Sequence, residues 1–181
     1  MNNIEQDILQ LVKSPLTKEK GFNLLVKTYQ ERLYWNIRRI VISHDDADDI
    51  LQNTFVKIWR AIDRFQSNSS LYTWLYRISV NESLQHLKQQ KRSIFLREEA
   101  TQNILLERLE SDVYFDGNEI QKKLQEAIIR LPEKQRMVFN LKYYDELKYE
   151  EISEILGTSV GALKASYHIA IKKLEDFLTN N

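Results

Sequence analysis

Cysteine is absent from the 181 residues, which excludes disulfides, thiolate metal sites and cysteine nucleophiles. Proline occurs twice and glycine four times, so long stretches run without a helix breaker and favour α-helix. No apolar run has membrane-spanning length and no basic-then-apolar leader opens the chain. A soluble, cytoplasmic protein with no membrane span is therefore expected. A net charge is missing too, since 26 Lys and Arg meet 26 Asp and Glu. A stand-alone DNA-binding domain draws much of its affinity from phosphate neutralisation and usually carries a basic excess. A balanced chain should hold naked DNA poorly, so a role on DNA would need a helper.

What is present is a 43% hydrophobic share, enough for a packed core in one domain or two small ones. The charge is unevenly spread. Residues 51–100 hold Lys57, Arg60, Arg64, Arg77, Lys88, Lys91, Arg92 and Arg97 against Asp63, Glu82, Glu98 and Glu99. Residues 101–120 reverse this, with Glu107, Glu110, Asp112, Asp116 and Glu119 against Arg108 alone.

Helical spacing of apolar residues runs through most of the chain. Ile4, Ile8 and Leu11 form a first stripe; Phe22, Leu25, Tyr29, Leu33, Ile37 and Ile40 form a second, which breaks at Ser43-His44. A third helix carries Ile50 or Leu51, Thr54 or Phe55, Ile58 and Ile62 inward and Gln52, Asn53, Lys57 and Arg60 outward, with Asp45 or Asp46 as its cap. The acidic cluster Asp45, Asp46, Asp48 and Asp49 lacks the alternating ligands, bend glycine and terminal Glu of a calcium loop. It is expected to start a helix or touch a protein, and no metal site or cofactor is expected.

After a polar loop at residues 63–70, a fourth helix begins near Ser70 or Thr73. Arg77, Asn81, Gln85, Lys88 and Arg92 recur at steps of three or four and so share one face, headed by Trp74 among Tyr72 and Tyr76. Two readings stay open. Rings can stack on unpaired bases while the cations follow a phosphate backbone, or the ridge is merely solvated and the rings are core. Residues 93–119 lose periodicity, turn acidic and make the best linker, with Asp116-Gly117-Asn118 as a turn. Beyond it Ile120, Leu124, Ala127 or Ile128, and Leu131 share a face; Pro132 opens a helix with Val138, Leu141 and Tyr144 inward.

Residues 149–171 read YEEISEILGTSVGALKASYHIAI. One short stripe (Ile152, Ile155, Leu156) stops at Gly157-Thr158-Ser159, and a second follows with Val160, Leu163, Tyr167, Ile171 and Leu174. Two helices joined by a glycine turn form a helix-turn-helix or an ordinary αα-hairpin. Ser159 can cap the second helix, whose outer face shows Gly161, Lys164, Ala165, His168 and Lys172, small and basic as a phosphate-lined groove requires.

In this order and spacing, three segments resemble one family. DADDILQNTFVKIW is similar to the core-polymerase-binding helix (region 2.2) of RNA polymerase sigma factors of the extracytoplasmic-function (ECF) type, within the sigma-70 family. FQSNSSLYTWLYRISVNESLQHLKQQKR resembles regions 2.3 and 2.4, which open and read the promoter −10 element. LPEKQRMVFNLKYYDELKYEEISEILGTSVGALKASYHIAIKKL resembles region 4, which reads the −35 element.

The resemblance implies an all-α chain of two small helical domains: region 2 at 1–92, an acidic linker at 93–119 and region 4 at 120–181. It also supplies the helper, because such factors reach promoters as part of RNA polymerase holoenzyme. Asp49, Gln52, Asn53 and Phe55 then match positions that dock on the β′ clamp, while the β flap of core polymerase completes the docking. Phe65, Tyr72, Trp74, Arg77, Asn81, Gln85, Lys88 and Arg92 match the −10 reader, with Asn81 facing a flipped base beside the pocket loop at 63–73. Ser159, Gly161, Lys164, Ala165, His168 and Lys172 match the −35 reader. The family implies an anti-sigma factor as a further partner.

Departures are specific. Asn53 stands where an acidic residue is usual, Gln85 replaces a frequent Asp and Lys88 a frequent Arg. Ala165-Ser166 replaces a common Ser-Arg pair, so a bidentate Arg–guanine contact is unavailable there. The linker, charged like nucleic acid, would thread the polymerase channel near the RNA path. The expectation is thus a transcription initiation factor; the rival is a stand-alone helix-turn-helix regulator. With His44, His86 and His168 scattered and no cysteine, no catalytic constellation is expected.

Overall fold

The computed structural model describes residues 3–94, 98–112 and 117–180, without the side chains of 91–94, 98 and 99. Nine α-helices and one short 3-10 turn (Ile62–Arg64) make up the regular structure of the described residues: α1 Asn3–Val12, α2 Lys18–Val41, α3 His44–Ala61, α4 Leu71–Ile94, α5 Glu98–Glu110, α6 Glu119–Ile129, α7 Glu133–Tyr143, α8 Tyr149–Leu156 and α9 Val160–Asn180. Among them none is long and apolar enough to cross a membrane.

The first lobe is built on α2. Its stripe is buried from Leu25 through Tyr29, Leu33 and Ile37 to Ile40. Beside it α1 lies so close that a Cβ on Gly21 would sit 2.7 Å from Leu11 Cβ and 2.9 Å from the Val12 backbone nitrogen. Tyr29 donates to Glu5 across that seam at 3.0 Å. Burial, reinforced by the Glu5 charge, raises its phenol well above the ordinary range. Ile4, expected on the buried stripe, is 44% exposed because the inner face of α1 runs through Glu5, Ile8 and Val12, with Glu5 taking the N-terminal place against Tyr29.

Helix α2 ends on Ile42 in the left-handed region at φ 58°. Ser43 then caps α3, accepting from the Asp46 backbone N–H at 3.2 Å. The cap is therefore Ser43 and not Asp45 or Asp46, because the extended residue with a short hydroxyl falls two positions before Asp45 and three before Asp46. Ile50, Thr54, Ile58 and Ile62 are the inward set, and α4 lies against both α2 and α3.

Between the lobes, the acidic stretch contains helix α5, with Leu105 and Leu109 buried in the common core. Its one arginine, Arg108, pairs with Asp46 at 2.9 Å and donates to the Val41 carbonyl at 3.0 Å. Asp112 forms a buried ion pair with Arg38 of α2. The turn residue Asp116 lies outside the described residues. Asn118 caps α6, exchanging hydrogen bonds of 2.9 Å with Gln121.

In the second lobe Ala127, Ile128 and Leu131 are buried, but Ile120 is 75% exposed. It lies in the first turn of α6, and the face that packs on the second apolar cluster starts at Leu124. Pro132 precedes α7, whose Val138 and Leu141 are buried while Tyr144 is half-buried. One apolar cluster runs from Ile8 through Leu75, Tyr76 and Val80 to Leu141, Ile152 and Leu163, so both lobes share a core.

Candidate nucleic-acid interface

Helix α4 starts where Ser70 Oγ accepts from the Thr73 backbone N–H at 3.0 Å. From there Leu71, Leu75 and Val80 turn into the core while Arg77, Asn81, Gln85 and Lys88 all stand exposed on one side. The side chain of Arg92 lies outside the described residues. At the head of the ridge Phe65 and Trp74 pack together, ring centroids 5.2 Å apart, both half-buried. The preceding loop bends through Ser67 at φ 57°.

The aromatic set does not behave as one group. Trp74 joins the ridge. Tyr72 turns sideways, 4.4 Å from the Tyr76 ring and 5.8 Å beneath Arg32. Tyr76 is 1% exposed and cannot stack on a base in this state. Its hydroxyl donates to Asp145 at 3.3 Å, and burial together with that carboxylate raises it far above an ordinary phenol. Tyr76 belongs to the core.

On α3, Asp49, Gln52 and Asn53 are exposed, and Phe55 is half-buried with its ring edge-on to Phe22 at 6.2 Å. Two apolar neighbours share that outer surface: Val56, 47% exposed, and Trp59, 37% exposed. The Trp59 ring sits 5.0 Å from Phe22 and 4.4 Å from Lys18 Nζ. Their steps of four and three from Gln52 mark them in the sequence as apolar residues on a polar face. Asp46 faces the other way, toward Arg108 and His86. Lys57 pairs with Glu82 of α4, tying the two exposed surfaces together.

The third surface comes from α8 and α9. Gly157 makes the turn in the left-handed region at φ 62°, as its lack of Cβ allows. Ser159 opens α9, its carbonyl accepting from Leu163 N–H at 3.0 Å and its hydroxyl from Ala162 N–H at 3.4 Å. Leu163, Ala170 and Leu174 anchor the inner face. Ser159, Gly161, Lys164, Ala165, His168 and Lys172 are all exposed on the outer one. A Cβ on Gly161 would meet nothing within 4 Å, so the fold itself does not require a glycine there.

A helix-turn-helix on one lobe, an exposed amide-and-cation ridge on the other and a shared all-helical core define a DNA-directed, two-lobed helical protein. Comparison with known proteins narrows this. Residues 25–93 match the model of sigma-70 region 2, and residues 121–174 match that of sigma-70 region 4. The chain is 32% identical over 161 residues to the ECF RNA polymerase sigma factor SigW of Bacillus subtilis, covering 83% of this chain and 84% of that one. It is 33% identical over 171 residues to the ECF sigma-E factor of Haemophilus influenzae (87% of each chain), and 34% identical over 155 residues to that of Escherichia coli (81% of each). Among solved structures it resembles CnrH in complex with the cytosolic domain of CnrY, with a TM-score of 0.70 and 23% identity over 98% of this chain and 99% of that one. The sigma factor RpoE in complex with the anti-sigma factor NepR from Bartonella quintana also gives a TM-score of 0.70, at 21% identity over 88% of this chain and 98% of that one. The chain belongs to the ECF RNA polymerase sigma factors of the sigma-70 family, and is a transcription initiation factor.

Proposed function

We propose that the three exposed surfaces divide the work of initiation among them. The outer face of α3, with Asp49, Gln52, Asn53 and Phe55 and extended by Val56 and Trp59, docks on the β′ clamp of core polymerase. Its exposed Trp59 and Val56 supply the apolar contact that such a protein interface favours at its centre. The second lobe reaches the β flap. Phe65, Tyr72, Trp74, Arg77, Asn81, Gln85, Lys88 and Arg92 serve the −10 element. Extruding a base costs a few kcal/mol, offset by contacts from the pocket loop and Asn81. Ser159, Gly161, Lys164, Ala165, His168 and Lys172 serve the −35 duplex.

The observation that carries this reading is the segregation of α4: four polar ridge residues exposed, Val80 and Leu87 between them buried, and Ile78 and Leu84 half-buried. The factor performs no chemistry of its own, acts in the cytoplasm beside the polymerase, and is divided at about residues 92 and 120 as the sequence implies. An anti-sigma partner fits the same reading, given the NepR complex of the similar RpoE. Run-off transcription with core polymerase and 5′-end sequencing of the product tests it. A discrete start site that depends on both components is expected; specific, tight gel-shift by the chain without polymerase would instead favour a stand-alone regulator.

A further inference from the structure

The loop that leads into α4 is tied to the start of α2 by an ion pair. Lys18 Nζ donates to Asp63 Oδ2 at 2.6 Å, across 45 positions of sequence. The base from which Lys18 reaches is firmly seated. Thr17 N–H donates to the Ser14 carbonyl at 3.0 Å and its hydroxyl to the Leu11 carbonyl at 2.7 Å, while Gly21 lets α1 close against the same turn. Lys18 is the first residue of α2, where a cation opposes the helix dipole. What the ammonium meets, and not the helix, therefore accounts for a lysine there. Besides Asp63 it meets Trp59 of α3, whose ring centroid lies 4.4 Å away. The indole shields the pair on one side, and the Lys18 side chain is 19% exposed.

Asp63 stands at the root of the pocket loop. Behind it Ile62 is buried, and the Phe65 N–H closes a tight turn onto the Ile62 carbonyl at 3.2 Å. Phe65 then leans on Trp74. From Gln66 to Asn68 the chain is exposed, with Ser67 in the left-handed region. A residue other than glycine keeps that conformation only where its surroundings impose it. Ser70, capping α4, fixes the far end of the loop, and Ile62 with Asp63 fixes the near end. We propose that Lys18 is a positioning residue of the −10 reader: its ion pair with Asp63 holds the root of the loop that receives the extruded base. The claim rests on the −10 role given above and adds to it a residue that lies outside the reading surface.

The sign of one substitution separates positioning from direct contact. If Lys18 gripped a phosphate itself, Asp63→Asn would free its charge and tighten strand binding. If Lys18 acts through the loop, Asp63→Asn and Lys18→Met remove the same tether, and both loosen the pocket. The expected size is modest, since Asp63 is half in water and an exposed ion pair changes an equilibrium by at most about fivefold. Salt should erode the effect, because it screens an exposed pair.

Two measurements test this. The first is amide exchange at Phe65, followed by mass spectrometry on the full chain without polymerase. It should quicken about two- to fivefold in Lys18→Met and in Asp63→Asn. The second is binding of holoenzyme to an oligonucleotide carrying the non-template −10 strand of the start site that run-off transcription identifies. Each variant should weaken it about two- to fivefold, and the double variant no further than either alone, because both remove one interaction. Lys18→Arg keeps the charge and the contact with the Trp59 ring, and should restore both readings. The deficit of Lys18→Met should narrow as salt rises. Unchanged exchange in both variants would overturn the tether. Faster exchange with parent-like strand binding would overturn its role in reading, and tighter binding by Asp63→Asn would make Lys18 a DNA contact instead. An equal loss of affinity for core polymerase would place Lys18 in the docking face and overturn the assignment as well. Failure of the parent holoenzyme to bind the −10 strand would strike the promoter-reading proposal, while the exchange measurement would still decide the tether.

Discussion

Helices α4 and α9 present their outer faces in opposite ways. The α4 ridge is long-armed, with Arg77, Asn81, Gln85 and Lys88 standing over a helix that is packed by α2, α3 and α8. The α9 face is nearly bare: Gly161 and Ala165 flank Lys164, and the helix is covered by α6, α7 and α8 on its other side. Long polar arms suit a flexible strand whose bases have left the stack. Short side chains suit a rigid groove into which the backbone itself must descend. On the proposed roles, a chain without net charge would make neither surface strong enough alone, so two weak readers on one scaffold would need a polymerase to combine them.

The largest expected effect tests the shared core behind both helices. Leu75 of α4 is fully buried and Leu163 of α9 is 1% exposed, in the same apolar cluster. Either residue changed to Ala should cost about 2–5 kcal/mol of stability. Thermal unfolding of each variant should remain one transition, with both lobes losing structure together. Two resolved transitions, with only the substituted lobe shifted, would break the claim of a common core.

Next in size is the ridge. Asn81→Ala removes a single exposed amide, so stability should stay within about 0.5 kcal/mol. A base contact is worth about 1–3 kcal/mol, so open-complex formation, read by permanganate footprinting, should fall roughly 5- to 150-fold. Core-polymerase affinity should not change. An equal loss of core affinity would show that α4 faces the polymerase and not the separated strand.

A smaller effect separates the two DNA surfaces by salt. Lys164 is exposed, its ammonium 5.7 Å from the Tyr149 ring. Lys164→Ala should weaken holoenzyme binding to a duplex carrying the −35 element, and should lower the salt slope by about one phosphate equivalent. A slope equal to the parent's removes Lys164 from the interface, leaving His168 and Lys172 to carry it.

Much of this was legible before the fold was known. The stripes of α2, α3 and α9, the exposed α4 ridge and the glycine turn all follow from short-range periodicity, and that periodicity decides burial wherever a helix has one dry face. What escaped has a common cause in long-range contact. Tyr76 reads like its neighbours Tyr72 and Trp74, and only the arrival of Asp145, 69 positions later, makes it core. Ile120 keeps the helical spacing but is exposed, and the packed face of α6 begins only at Leu124. Around helix α5 the sequence offers Ile104, Leu105 and Leu109 inside an acidic stretch, enough to allow short helical pieces but not to show that Leu105 and Leu109 dock in the common core. The outer face of α3 is marked further along in the sequence as well, since Val56 and Trp59 lie on the same helical spacing as Gln52.

A pair of glycines carries the finest distinction. At Gly21 an added methyl would collide with the Val12 backbone, so Gly21→Ala should cost about 1–3 kcal/mol through forced separation of α1 and α2. At Gly161 the same methyl enters open space in the first turn of a helix. Alanine there should leave stability unchanged or raise it by up to about 1 kcal/mol, because the unfolded chain loses freedom. If the α9 face descends into a groove, that neutral substitution should nonetheless weaken −35 recognition in holoenzyme, since the methyl would occupy space that only the DNA contests. Gly161→Ala with parent-like stability and parent-like promoter affinity would place this end of α9 away from the duplex and leave the small side chains of that face without a function.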